Sequence, residues 1–106
     1  MLIETPYKNG DIISVKLKTG EEIVGKLVEE TNQTIKISKP MTLIMTQQGM
    51  GLQQWLMTVD PTTAVEIASD SVLTVNKTIQ AFAKAYSDQT SSIVTAPAGL
   101  AEAVKA

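Results

Sequence analysis

The sequence contains no cysteine, no histidine and no arginine, so its nine basic residues are all lysines. Without cysteine there is no disulfide and no thiolate, and without histidine the usual general base and common zinc ligands are missing. Without arginine the planar guanidinium group, which binds phosphate or guanine through two hydrogen bonds, is missing as well. We therefore expect a protein that is not an enzyme, with no catalytic residue, no metal and no cofactor.

Long apolar runs are also lacking. No stretch of about 18 apolar residues occurs, so we expect no membrane-spanning helix. The first four residues lack the basic start of a secretory signal, and the expected location is cytoplasmic. The net charge of −2 and the pI near 5.0 give no overall attraction to nucleic acid. A chain of 106 residues suits one domain, which gains by burying further surface in an oligomer.

Apolar and polar residues alternate with a period of two along most of the chain, which predicts strands. The predicted strands are 12–18, 22–29, 35–46, 52–59, a short one at Val65 and Ile67, and a last one at 72–75. Gly25 lacks a side chain where strong bending is expected, and Pro40 indicates a bulge or a sheet edge. Closely spaced strands with a bending glycine fit a small barrel better than a flat sheet.

The pattern changes after Asn76 to a spacing of three and four residues, which predicts an amphipathic helix of about three turns. Its apolar stripe consists of Ile79, Phe82, Ala83 and Tyr86. Asn76 is the predicted N-cap, 87–96 the predicted linker, and 97–105 a predicted short terminal helix. The predicted organisation is a barrel over 1–76 and a helix with a tail over 77–106. The stripe either caps the barrel, which we favour, or docks on a partner protein.

The order of glycine and apolar positions resembles the Sm and LSm family, which includes bacterial Hfq. The first motif of that family is similar to residues 15–20 and 25–27 followed by a polar loop and the short strand 35–37. The second motif is similar to 67–75 in length and in apolar positions. The resemblance covers about residues 10–76. It implies a strongly bent, five-stranded antiparallel barrel of the SH3 type.

The resemblance also implies that copies of the chain assemble into a ring. In the family, the fourth strand of one subunit pairs with the fifth strand of the next, which satisfies two open edges and closes by rotation. The fourth strand would lie within 52–68 and the fifth within 72–76, and we expect five to seven subunits. The predicted subunit-interface residues are Trp55, Met57, Val59, Val72, Leu73 and Val75.

Family members that bind uridine-rich RNA use an Asp-x-aromatic-x-Asn loop and an Arg-Gly or Lys-Gly pair. In this chain the first loop is one residue shorter and lacks the acid and the ring, and Ala68-Ser69 replaces the pair. The candidate RNA-binding residues are Thr31, Asn32, Gln33, Thr34, Ala68, Ser69 and Asp70. Ordinary turn chemistry explains the same residue types. The long segment between the motifs and the helix after the barrel resemble divergent family members of phage type.

Three functions stay open. The first is a ring that binds short single-stranded RNA, and the second is a protein-binding or scaffolding ring, favoured by the acidic pI and the absent arginine. The third is a monomeric SH3-like barrel. A basic face would consist of Lys8, Lys16, Lys18, Lys26 and Lys36. Neighbouring glutamates favour a mixed, solvated face instead. The pairs 21–22 and 29–30 do not converge on one site, because adjacent strand residues point to opposite faces.

Overall fold

The structure, a computed structural model, describes residues 6–95 of the chain. In that part, six antiparallel strands form one sheet and a helix follows them. The elements are β1 (Ile12–Leu17), β2 (Glu22–Glu30), β3 (Thr34–Thr46), β4 (Gly49–Gln54), β5 (Ala64–Ala68), a 3-10 turn (Ser69–Ser71), β6 (Val72–Lys77) and α1 (Gln80–Thr95). The predicted class, a strongly bent antiparallel sheet with a C-terminal helix, is confirmed.

The strands follow the order β4-β3-β2-β1-β6, and β5 also pairs with β3. The 13-residue β3 is long enough for two partners. Its first part, 34–38, pairs with β5, and its second part, 41–46, pairs with β4. β4 and β5 therefore occupy successive stretches of β3, and residues 55–63 between them leave the sheet.

The predicted strand 52–59 is wrong beyond Gln54, where β4 ends. The side-chain amide of Gln54 donates to the carbonyl oxygens of Leu56 and Val59 at 2.8 and 3.1 Å. The carboxylate of Asp60 accepts the backbone N–H and the hydroxyl of Thr62 at 2.9 and 2.7 Å, and these bonds lower the pKa of Asp60. Local hydrogen bonds thus hold this segment as a loop in place of strand pairing.

β3 approaches β2 closely at Gly25, where the sequence predicts strong bending. A side chain at Gly25 would overlap Cγ2 of Ile37 and approach the carbonyl oxygen of Ser38 to 3.2 Å. Opposite Gly25, β3 carries two residues, Lys39 and Pro40, so it has one extra residue and the ladder contains a bulge there. Lys39 has a φ of 50°, in the left-handed region. The predicted bulge at Pro40 is confirmed.

Aliphatic side chains from the alternating strands fill the barrel. The main core consists of Ile13, Val15, Leu17, Ile23, Leu27, Ile35, Ile37 and Ile67. Tyr7 and Trp55 are partly buried against this core. The period of two therefore places these side chains inside the bent sheet, as expected.

α1 is longer than predicted, because it continues to Thr95 over 16 residues. The linker predicted at 87–96 is therefore wrong. Within that stretch, the buried Thr90 satisfies its hydroxyl by donating to the carbonyl oxygen of Tyr86 at 2.8 Å. Asn76 is not the N-cap, since it pairs with Ser14 inside β6. The predicted terminal helix at 97–105 lies outside the described residues.

Tyr86 attaches α1 to the sheet. It belongs to a second buried cluster, which consists of Val24, Met41, Leu52 and Tyr86. The Tyr86 hydroxyl donates to the carbonyl oxygen of Ser38 and accepts the backbone N–H of Lys26. Since Ser38 and Lys26 are cross-strand partners beside the bulge, the hydroxyl bridges β2 and β3 there. Burial raises the pKa of Tyr86 to about 12. Of the predicted stripe, Ile79 is 67% exposed.

Candidate functional site

The two loops that contain the candidate RNA-binding residues meet in the structure. Thr34 pairs with Ala68 where β3 and β5 run together. Beyond that pair, the backbone N–H of Ser69 donates to the carbonyl oxygen of Gln33 at 2.9 Å. The fold thus brings residues 31–34 and 68–70 together, although they lie far apart in the sequence.

The loop 31–34 is held by its threonines. The Thr31 hydroxyl accepts the backbone N–H groups of Gln33 and Thr34 at 3.1 and 3.0 Å. The backbone N–H of Thr31 donates to the carbonyl oxygen of Thr34 at 2.8 Å. Turn chemistry therefore accounts for the threonines, whereas the exposed Asn32 and Gln33 use no side-chain atom in it. Two amide side chains at this loop are available to a ligand.

A third segment joins these loops, and no sequence pattern indicates it. The backbone N–H of Lys18, in the turn between β1 and β2, donates to the carbonyl oxygen of Ser71 at 2.8 Å. We use the name "loop cluster" for Lys18, residues 31–34 and residues 68–71. Lys18 and Asp70 are exposed in it, and Ser69 is half-buried. The arrangement offers amides, hydroxyls, one ammonium and the Asp70 carboxylate, which are groups that hydrogen-bond a polar ligand.

Tyr7 lies beside the strand end that leads into the loop 31–34. It packs on the main core, and its hydroxyl donates to Oε1 of Glu30 at 2.8 Å. Burial and this bond to a carboxylate raise the pKa of Tyr7 to about 12. Tyr7 is therefore a neutral donor that fixes Glu30 near neutral pH, and its ring lies close to the start of the loop.

The predicted interface residues fall into two groups, one in the loop 55–63 and one on β6. Trp55 is half-buried on the main core, and its Nε1 donates to Oε2 of Glu21 at 3.0 Å. In the loop 55–63, Met57 is 68% exposed, and Val59 is half-buried. The second group, Val72, Leu73 and Val75, lies on β6. Trp55, Val72 and Val75 pack against the same main core, whereas Met57 and Leu73 are exposed.

Leu73 differs from its neighbours on β6. Val72 and Val75 pack toward the main core. The register shifts between them, because Lys16 pairs with Thr74 and Leu17 pairs with Val72. Leu73 therefore has no partner on β1, and it is 62% exposed. A bulge re-aims side chains in this way.

The two ends of the sheet have unpaired edges in the described part of the chain. β6 pairs only with β1, and β4 and β5 each pair only with β3. No ladder joins β5 to β6, although the 3-10 turn connects them directly. Each chain thus presents two different edges with free backbone groups, one on β6 and one formed by β4 and β5 along β3.

Residues 6–95 contain no group of three or more carboxylates that would hold a metal ion. The Glu21 carboxylate accepts Nε1 of Trp55 and the hydroxyl of Thr19, which gives it a structural role. In the same stretch, no helix has the length and hydropathy needed to cross a bilayer.

No protein-family model and no curated protein sequence matches the chain. Among solved structures, the chain is similar to a heptameric archaeal Sm protein. The two are 14% identical, and the match covers 67% of this chain and 90% of the archaeal one, with a TM-score of 0.47. At that level the likeness concerns the course of the backbone alone.

Proposed function

We propose that this chain is the non-catalytic subunit of a homo-oligomeric, Sm-like ring. The observation that supports the proposal is the pair of unpaired edges at β5 and β6. Backbone N–H and C=O groups on an open edge gain a partner when another strand pairs with them. Because the two edges differ, each copy would offer one edge to each neighbour. Contacts of this heterologous type form a ring when the rotation closes.

The exposed Leu73 adds to this proposal. A leucine that is 62% exposed on an open edge strand invites association with another chain. We infer that a neighbouring copy covers Leu73, while Val72 and Val75 keep β6 on its own core. From the family resemblance we expect five to seven subunits. The heptameric state is stated for the archaeal protein only.

A charge at Leu73 tests the ring. Leu73→Lys should weaken assembly by roughly tenfold or more, because an unpaired ammonium would be buried between copies. The matched control is Met45→Lys, since Met45 is 76% exposed on β3 and lies on neither open edge. Analytical ultracentrifugation measures both variants beside the unmodified chain. Assembly of Leu73→Lys at unchanged concentration would contradict the proposed role of the β6 edge.

We propose further that the ring binds short single-stranded RNA at the loop cluster. The observation that supports this is a polar cluster in which backbone hydrogen bonds join the segments that carry two exposed amide side chains, one exposed lysine and the exposed Asp70. It contains no arginine and no aromatic ring, so binding should be weak and should fall steeply with salt.

The test is fluorescence anisotropy with labelled oligo-U and oligo-A at several salt concentrations. Binding that is detectable at low salt and weakens as salt rises is the expected result. The absence of binding at low salt would contradict RNA binding, because the phosphate contribution is largest there. The ring itself would not be affected by that outcome.

A second candidate is a ring that binds a protein or acts as a scaffold, without affinity for RNA. The observation in its favour is an exposed pair on the β3–β4 hairpin, where Met45 and Met50 are cross-strand partners, 76% and 55% exposed. Methionine side chains adapt well to partner surfaces. An intact ring that fails to bind either oligonucleotide would favour this candidate.

A further inference from the structure

Most lysines in the described part of the chain have an acidic neighbour. Nζ of Lys8 and Nζ of Lys77 lie 3.3 and 4.0 Å from the two carboxylate oxygens of Asp11. On α1, Nζ of Lys84 lies 3.0 Å from the carboxylate of Asp88. These three ammonium groups are partly neutralised by contacts within the chain.

Two further lysines face acids across the sheet. Lys16 is the cross-strand partner of Glu22. Lys36 has Glu29 opposite it on β2 and Glu66 opposite it on β5. Opposite charges at directly facing positions reduce each other's field. These two lysines therefore contribute little to attracting an anion.

Lys18 is exposed and has no ion pair and no facing acid on a paired strand among the described residues, although the exposed Asp70 belongs to the same loop cluster. The nearest acid in its own turn, Glu21, accepts Nε1 of Trp55 and the hydroxyl of Thr19, both at 3.0 Å. These two bonds hold the Glu21 carboxylate at the tryptophan. The backbone of Lys18 is fixed to the loop cluster by its bond to Ser71.

We propose that Lys18 is the phosphate contact of the loop cluster when the ring binds single-stranded RNA. This inference rests on the proposed RNA-binding function and names the residue that replaces the missing arginine. A lysine ammonium is a point charge on a flexible stem, which suits a phosphate whose position varies along a single strand. In a ring, each copy would place one Lys18 in the same loop cluster as its own Asn32 and Gln33.

Lys18→Gln tests the inference, because it removes the charge and keeps a long polar side chain. Lys26→Gln is the matched control, since Lys26 is also exposed without an ion pair among the described residues but lies in the middle of β2. Affinity for oligo-U is measured by anisotropy at several salt concentrations. Light scattering on the same samples shows whether each variant keeps the assembly of the unmodified chain.

We expect Lys18→Gln to weaken binding by roughly three- to tenfold at low salt. The slope of log affinity against log salt should fall by about 0.7 for each phosphate that the variant no longer neutralises. Lys26→Gln should stay within about twofold of the unmodified chain, and Lys18→Arg should bind at least as well as it. Equal slopes for Lys18→Gln and Lys26→Gln would overturn the role of Lys18 but not the RNA-binding function. Failure of the unmodified ring to bind RNA at low salt would overturn the RNA-binding function together with it.

Discussion

The two buried clusters of this chain differ in their residue types and in the interactions that stabilise them. The main core contains eight aliphatic side chains from the strands, whereas the cluster under α1 contains four residues, one of which is a tyrosine. Burial of aliphatic surface stabilises the first, and a hydroxyl that bridges two strands adds to the second. The β5 and β6 edges, which we propose pair between copies, belong to strands around the main core. The barrel is therefore expected to control assembly, and α1 to contribute mainly local stability.

The largest effect is expected inside the barrel. Ile37 is fully buried and lies against Gly25, so Ile37→Ala should lower the free energy of unfolding by about 3 kcal/mol. Val28→Ala is the control, because Val28 is 40% exposed on β2. Chemical denaturation followed by circular dichroism measures both. A decrease for Ile37→Ala no greater than that of the control would contradict the position of the core.

A smaller effect is expected under α1. Tyr86→Phe should lower the free energy of unfolding by about 1–2 kcal/mol, because it leaves the N–H of Lys26 and the carbonyl oxygen of Ser38 without their partner. The control is Tyr7→Phe, which removes an exposed hydrogen bond to Glu30 and should cost less. Hydrogen exchange should show faster exchange in α1 while the assembled mass stays the same. Dissociation of the assembly by Tyr86→Phe would show that α1 also controls it.

The clusters also differ in how far the sequence predicts them. Alternation identifies the barrel strands, and the missing side chain at Gly25 identifies the bend, because both depend on neighbours along the chain. The attachment of α1 is only partly predictable. Tyr86 stands in the predicted apolar stripe, but its hydroxyl finds partners on two strands that lie far away in sequence. Likewise, the serines and threonines after Tyr86 indicate a linker, since their propensities do not reveal that Thr90 is buried within the helix.

The candidate site, too, is only partly predictable from the sequence. The loops at 31–34 and 68–70 can be paired only through the family resemblance, because their contact depends on β3 and β5 running together. The approach of Lys18 to Ser71 is a backbone contact that leaves no pattern in the sequence. The sequence pattern also does not predict that the fourth strand ends at Gln54. The amide of Gln54 closes the loop that follows, although alternation continues through it.

The smallest effect is expected at the surface, where neither cluster is involved. The backbone N–H of Lys8, then its ammonium and that of Lys77, hold the pKa of Asp11 below its usual value of 3.8. A carboxylate with a lowered folded-state pKa stabilises the protein above its unfolded-state pKa, and this contribution disappears as the pH falls through the folded-state value. Asp11→Asn should therefore lower the melting temperature slightly at pH 7 and leave it unchanged well below pH 3.8. Asp70→Asn is the control. If Asp11→Asn still changed the melting temperature in acid, this electrostatic cause would be contradicted.

The central claim is that unpaired edges of separate copies join in a closed assembly. Multi-angle light scattering on the unmodified chain, over a hundredfold range of concentration, tests it most directly. A closed ring should give one species whose mass is five to seven times the 11.4 kDa of the chain and does not grow at higher concentration. A mass of 11.4 kDa throughout, or a mass that rises continuously with concentration, would contradict it.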